Sequence, residues 1–314
     1  MYKVGCWNIW GLNSSQKQKI VRDWTINNMM GIIGLLETKI VSTNMEAVIT
    51  KLQLPTWKFL SNVNASSSCR VMVGWDPTIF HLSCLHSSDQ WVTCDVVALA
   101  TNTAFRVTFV YGLNTPAGRE LLWTYMKHQA PLFSSSPWII LGDFNAILKT
   151  SNRIGGDTSW YGHHDDFGNC IQDSELIEVP YTGMNFTWHN GQQGEYAIMK
   201  KLDWIFSNQS FLSNWPTSHS IFFPRDYSDH SSMLLEFSSP EQRPPTPFKF
   251  LNFWADRSDF LDLVRNAWQN QIKGNPMFRL TSKLRIVKHL LRSMHKRESS
   301  HISSRVAVIK SQWQ

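Results

Sequence analysis

The sequence predicts a mixed α/β or α+β body built on a large sheet system. Eight short segments rich in apolar, β-branched and aromatic residues read as strands, and helical patterns lie between some of them. At 314 residues the chain suits one large domain, or one domain with an appendage. Hydrophobic residues at 42% against 17% charged, with 15 Trp, supply a packed core and exclude global disorder.

The strands fall at residues 3–7, 32–36, 71–75, 92–99, 105–110, 138–141, 202–206 and 232–237. Some alternate and others are continuous apolar runs, as strands buried between two layers do. Apolar spacing places one helix over about 16–29 and another over about 119–128, the second ending before Pro131. Strands and helices together make a layered body.

Charge divides the chain. The net charge is +6, yet the first 240 residues carry −3 and the rest carry +9. A mildly acidic body suits a carboxylate pocket that holds a hard cation. It still binds nucleic acid where metal ions or local basic loops offset phosphate repulsion. The proline-rich stretch Arg243-Pro244-Pro245-Thr246-Pro247 continues neither a helix nor a central strand. The expected organisation is a body over 1–239, a linker over 240–248 and a basic helical tail over 249–314. In the tail Leu280, Leu284, Val287, Leu291 and Met294 recur at helical steps, with Lys283, Arg285, Lys288, Arg292, Lys296 and Arg297 between them. Such a helix either touches nucleic acid or docks by its apolar face while its basic face stays solvated.

No apolar run reaches the roughly 18–20 residues a membrane span needs. The N-terminus carries no secretory pattern. The five cysteines include no C-x-x-C pair, so neither a disulfide framework nor a structural zinc cluster is expected. A reducing compartment follows, nucleus or cytoplasm, with no membrane partner.

Polar residues of one chemical kind stand at the strand ends. Asn8 follows the first strand, Glu37 the second, Tyr111 the fifth, and Asp143 with Asn145 the sixth. Asp203 opens the next, and Asp229-His230 precede the last. Strand ends of a layered sheet gather along one edge, where loops from distant parts of the chain meet. Taken singly each has a plainer explanation. Asn8 suits a turn, Glu37 a helix cap, and Gly142-Asp143-Phe144-Asn145 an Asx-turn. Gly162-His163-His164-Asp165-Asp166 looks like a metal cluster but reads as a solvated loop, because neighbours along a loop seldom all face one ion.

The ordered set resembles the endonuclease/exonuclease/phosphatase superfamily, the fold of DNase I and of the apurinic endonucleases. The matching pieces are W-N-I-W-G-L at 7–12, L-L-E-T-K at 35–39, V-Y-G at 110–112, G-D-F-N at 142–145, K-L-D-W-I-F at 201–206 and S-D-H at 228–230. F-T-W-H-N at 186–190 and F-K-F-L-N-F-W-A-D at 248–256 further resemble the endonuclease region of plant LINE (non-LTR) retrotransposon proteins, here stopping before a reverse transcriptase. The resemblance implies a four-layer α/β-sandwich: two facing mixed β-sheets flanked by helices.

It also implies roles. Glu37, with Asn8 and Asp229, would hold a divalent ion, Mg²⁺ with Mn²⁺ as substitute. His230, held by Asp203, would be a base or a phosphate-stabilising group. Asp143 would orient or deprotonate the attacking water. Asn145 would hold the scissile phosphate, and Tyr111 would donate to a phosphate or leaving oxygen. Trp188 would approach the DNA, unless Phe186 and Trp188 alternate on a strand and one is core. Lys200, Lys201 and Arg225 would contact phosphates. Trp10 stands where many relatives place Arg or another polar residue, and Lys201 where Arg is common, which keeps the charge and loses the fork.

The function expected is a metal-dependent endonuclease, monomeric and without an organic cofactor, that nicks one DNA strand to leave a 3′-hydroxyl. The same scaffold also serves phosphatases of inositol phosphates or lipid head groups. A catalytically decayed DNA-binding remnant is the third reading.

Overall fold

The computed structural model describes residues 1–63, 68–157, 159–238, 254–255, 257–272, 276–277, 279–291 and 293–294. The chain divides into two compact units, Met1–Arg243 and Pro244–Gln314.

In the first unit the strands are β1 (Tyr2–Asn8), β2 (Ile32–Ile40), β3 (Lys58–Ser61), β4 (Cys69–Trp75), β5 (Phe80–Ser87), β6 (Trp91–Ala98), β7 (Thr103–Tyr111) and β8 (Trp138–Asp143). They continue with β9 (Arg153–Ile154), β10 (Ile177–Glu178), β11 (Tyr181–Gly183), β12 (Trp188–His189), β13 (Met199–Lys200), β14 (Asp203–Ser207), β15 (His219–Phe222) and β16 (Met233–Phe237). The helices are α1 (Ser15–Asn27), α2 (Met45–Leu52), α3 (Glu120–Phe133), α4 (Asp165–Asp173) and α5 (Gln209–Asn214).

One sheet runs β11-β15-β16-β1-β2-β4-β3, the other β10-β14-β8-β7-β6-β5. Both are mixed: β1–β2 and β11–β15 are parallel in the first and β7–β8 in the second, while the other pairs in both sheets are antiparallel. A small third sheet joins β12, β13 and β9.

Alternation along the strands builds the layers. Ile32 and Leu36 of β2 enter the core between the sheets with Ile139 and Leu141 of β8. Ile33 and Leu35 turn outward to a cluster with Val21 of α1 and Val48 and Leu52 of α2. Trp138 and Ile140 of β8 turn outward to Leu122, Trp123 and Met126 of α3 and Phe167 of α4. Both faces of these strands are buried, which explains their unbroken apolar runs. The result is the expected four-layer sandwich. Gly34 admits Phe109 between the sheets: a Cβ there would stand 2.0 Å from that ring.

Local signals set the helix limits. The Ser14 side chain accepts from the Lys17 amide and starts α1. The second helix departs from expectation, since α3 runs through Pro131 to Phe133. The missing N–H affects only the last turn, and buried Phe133 packs edge-on against Trp138 at 5.1 Å. Tertiary burial outweighs the proline signal. The Gly162–Asp166 segment is solvent-facing as expected, with only His164 half-buried, but it is not a loop: residues 162–164 form a 3-10 turn that leads into α4. Buried Phe167 and Cys170 anchor that helix and carry its polar start with it.

In the second unit α6 (Phe260–Trp268) is followed by helical residues 279–291. Trp254, Leu291 and Met294 are buried together, with Phe260, Leu263 and Val287 against them. Leu280 and Leu284, expected on the same apolar stripe, are exposed. The expected linker at 240–248 lies outside the described residues. No helix among the described residues is long and apolar enough to cross a membrane.

Candidate active site

Strand register assembles the site. Tyr111 of β7 pairs with Asp143 of β8, and Asp143 pairs with Asp203 of β14. Asn8 ends β1 opposite Leu36, so Glu37 follows directly beside it. There β2 does not end as expected but bulges between Leu36 and Ile40. Glu37 and Lys39 take φ of +50° and +54°. A left-handed non-glycine residue costs of order 1–3 kcal/mol and marks a position held by its surroundings. Gly142 has φ +151°, and a Cβ on it would meet the Val110 carbonyl at 2.0 Å, so β8 can close on β7 only with glycine there.

Asp143 sits at the centre. Its Oδ1 accepts from the Asn145 amide at 2.9 Å, and its Oδ2 accepts from Asn8 Nδ2 at 2.9 Å. Asn8 Nδ2 also donates to Glu37 Oε2 at 3.3 Å. Asn145, itself at φ +49°, donates through Nδ2 to the Gly112 carbonyl at 2.8 Å. The Asx-turn expected of this segment is therefore formed, with the Asn145 amide on Asp143 Oδ1.

His230 is gripped from behind. Its Nδ1 lies 2.9 Å from Asp203 Oδ2, and its Nε2 lies 3.5 Å from Asp143 Oδ2. Thr187 Oγ1 accepts the Leu202 and Asp203 amides, fixing the start of β14. Trp7 Nε1 donates to the His230 carbonyl. Asp203 Oδ1 is buried with no hydrogen-bond partner among the described residues. Ligand atoms of Asp143, Asp203 and His230 lie within 4.8 Å of one another, a spacing that could hold a metal ion.

Burial pushes the Asp143 carboxyl up to about 7 against the pull of His230, and the Asp203 charge adds to the push. Burial alone would lower His230. The Asp203 and Asp143 carboxylates outweigh it and raise the imidazole to about 10. Burial, helped by the Glu37 and Asp143 charges, also holds the Tyr111 phenol well above its usual value. At neutral pH the imidazole is therefore a cation and Tyr111 a proton donor.

A cavity of about 340 Å³ opens on this centre. Asn8, Glu37, Tyr111, Asp143, Asn145, Asp229, His230, Trp188 and Lys200 line it, all expected from the sequence. Asp203 lies beneath His230, not on the wall. Trp188 is half-buried, like Phe186, and Thr187 between them is the core residue. The Trp188 indole donates to Asp229 Oδ2 at 2.9 Å, with Lys200 Nζ 5.5 Å over its ring.

One expectation about DNA contacts is corrected. Lys201 is 1% exposed, with Nζ 3.5 Å from the Tyr181 ring centroid, 4.4 Å from Phe222 and 3.2 Å from Glu178 Oε1. The chain alternates between β13 and β14, so Lys200 faces the cavity and Lys201 the interior. Arg225, half-buried, stands off the cavity wall and donates Nη1 to the Phe186 carbonyl.

The sequence reading missed Asn114 and Leu202 on the wall and passed over Trp10 as a departure. Trp10 is exposed at the mouth, with Lys39 Nζ 4.9 Å over its ring. Asn114 stands three residues past Tyr111 on the same loop, which was the available signal.

The donors suit a hard divalent cation. Glu37, Asn8, Asp143 and Asp229 offer oxygen atoms to one cavity, and such ions prefer oxygen. The ammonium of Lys39 lies 3.1 Å from Glu37 Oε1, a positive charge where a cation would bind.

Sheet order, layers and site together define a phosphoester-hydrolase scaffold. The chain belongs to the endonuclease/exonuclease/phosphatase family, whose model matches residues 5–230 and whose members are nucleases and phosphatases. The AP endonuclease of Leishmania major shares the fold, with TM-score 0.59 and 14% identity over 74% of this chain and 86% of that one. The endonuclease domain of TRAS1, a telomere-specific non-LTR retrotransposon, has TM-score 0.57 and 12% identity over 76% and 98%. A mannosyl-6-phosphatase of Bacteroides thetaiotaomicron has TM-score 0.53 and 13% identity over 76% and 100%. No curated protein matches the chain.

Proposed function

We infer that the protein is a Mg²⁺-dependent DNA endonuclease of the non-LTR retrotransposon type, nicking one strand to leave a 3′-hydroxyl. The observation that carries this reading is the Asp203–His230–Asp143 line ending in a cavity whose wall also holds Trp188 and Lys200. An aromatic face beside a cation suits a nucleic-acid strand, since bases stack and phosphates pair.

In this reading Asp143, held by Asn8 and Asn145, accepts a proton from water as its oxygen attacks phosphorus. The imidazolium of His230 faces the charge that builds on the phosphoryl oxygens. Asn145 positions the phosphate. The bond from phosphorus to the 3′-oxygen breaks, and that oxygen takes a proton from Tyr111 or His230. Glu37, Asn8 and Asp229 would hold Mg²⁺, which when bound neutralises phosphate charge and orients the substrate.

End-labelled duplex with one cut site tests the outcome. Product strands that a DNA polymerase extends without further treatment support the reading. Inorganic phosphate released from inositol polyphosphates, with DNA left whole, would move the protein to the phosphatases of its family.

A further inference from the structure

Beside the catalytic cavity lies a second one of about 210 Å³. Asn114, Asn145, Lys200 and Leu202 line both, so the two adjoin. The second is cationic. Arg119, Arg153, Lys200, His163 and His164 face it, against the single acid Asp166.

Arg119 is the informative residue. It is 7% exposed, and among the described residues no carboxylate pairs with it in a salt bridge. Its Nη1 donates to the Leu113 carbonyl at 2.8 Å, while its Nε is buried with no hydrogen-bond partner among the described residues. A buried guanidinium normally has its donors satisfied, because an orphan buried donor gives up its hydration with nothing in return. Arg153 is likewise without a salt bridge among the described residues and donates Nε to the Gly155 carbonyl. The His163 and His164 rings lie 4.2 Å apart. Tyr161 holds them: its amide donates to His164 Nδ1, and its ring stacks on His163 at 5.8 Å. Basic groups so crowded disfavour one another's charged forms. Burial, then the neighbouring His163, Arg153 and Arg119, lowers the His164 imidazole.

We propose that this cavity is a second anion subsite, built to take a tetrahedral phosphate group next to the one being cleaved, with Arg119, Arg153 and the His163–His164 pair as its ligands. Guanidinium forks match phosphate oxygens, and an incoming anion supplies the counter-charge that Arg119 and Arg153 lack. The shared wall through Asn145 and Lys200 makes the neighbouring backbone phosphate of the substrate strand the fitting occupant. This assignment of the occupant rests on the nuclease reading, whereas anion binding itself does not.

Two measurements separate those claims. Metal-free protein is titrated with inorganic phosphate, followed by ³¹P line broadening, for wild type, Arg119→Gln, Arg153→Gln and His163→Gln. The subsite predicts binding that each substitution weakens by about tenfold. Arg153→Gln serves where buried Arg119→Gln fails to fold. The second measurement is nicking of a single-site duplex carrying one neutral methylphosphonate on either side of the cut. The account predicts about tenfold higher KM with kcat unchanged at one flank for wild type, and no such penalty for Arg153→Gln. Phosphate binding without nicking keeps the subsite and removes the nuclease reading. Nicking with no phosphate binding, or binding that all three variants retain, overturns the subsite. Binding with no flank effect assigns it to a free phosphate and overturns the strand-phosphate occupant.

Discussion

His230 and Asp203 meet at 2.9 Å, ring Nδ1 to carboxylate Oδ2, with the aspartate fully buried behind the imidazole. The carboxylate fixes the ring so that Nε2 faces the cavity beside Asp143. It also keeps the ring charged, which burial alone would prevent.

Asp203→Asn removes that charge and keeps the shape. The expected result is a fall in nicking rate of about 10²–10⁴-fold with little change in DNA affinity. The His230 imidazole, followed by NMR, falls from its raised value. A variant with wild-type turnover contradicts the role given to the pair.

The same shift makes stability depend on pH. The folded imidazole is raised above its ordinary 6.5 to about 10, so protonation is favoured in the fold. That contribution is complete below about 6.5 and is lost as pH climbs to about 10. Asp143, also raised, has the same sign over a lower window that closes near 7. In metal-free buffer the melting-temperature advantage of wild type over His230→Asn therefore narrows as pH rises through that range. An advantage that grows with pH contradicts it.

Glu37→Gln tests the cation site. Losing one anionic ligand raises the Mg²⁺ concentration for half-maximal nicking by about tenfold or more. Equal metal titrations for both proteins remove Glu37 from the ligand set.

Lys200 and Lys201, adjacent in sequence, have opposite consequences. Lys200→Ala raises the KM for DNA and lessens its salt dependence, with unchanged melting temperature. Lys201→Ala leaves the KM alone but lowers stability by about 2–4 kcal/mol, because its stem fills an aromatic cage. Thermal melts and nicking kinetics on the two variants separate these roles, and a shared KM effect contradicts the alternation.

Much of the site was legible because its polar groups interrupt apolar strands. Asn8, Tyr111 and Asp143 each end a run that otherwise has no reason to carry them. Four features were not legible. The bulge that turns Glu37 depends on left-handed backbone at non-glycine residues, which no composition signal marks. Strand β5 alternates only over Phe80–Cys84, after which a bulge between Cys84 and His86 breaks the pattern on an exposed stretch. Lys201 sits among Tyr181, Trp204 and Phe222, a burial that reverses the usual expectation for lysine. The His163–His164 segment lost its meaning when read as a loop, since only the packing of α4 shows which cavity it faces.

The most direct test is conversion of supercoiled plasmid to the open circle by purified protein with Mg²⁺. Asp143→Ala, His230→Ala and EDTA serve as controls, with circular dichroism confirming that each variant folds. The account predicts nicking by the wild type that all three controls abolish. A folded wild type that leaves the plasmid intact across a broad pH range, or nicking that survives in Asp143→Ala, contradicts it.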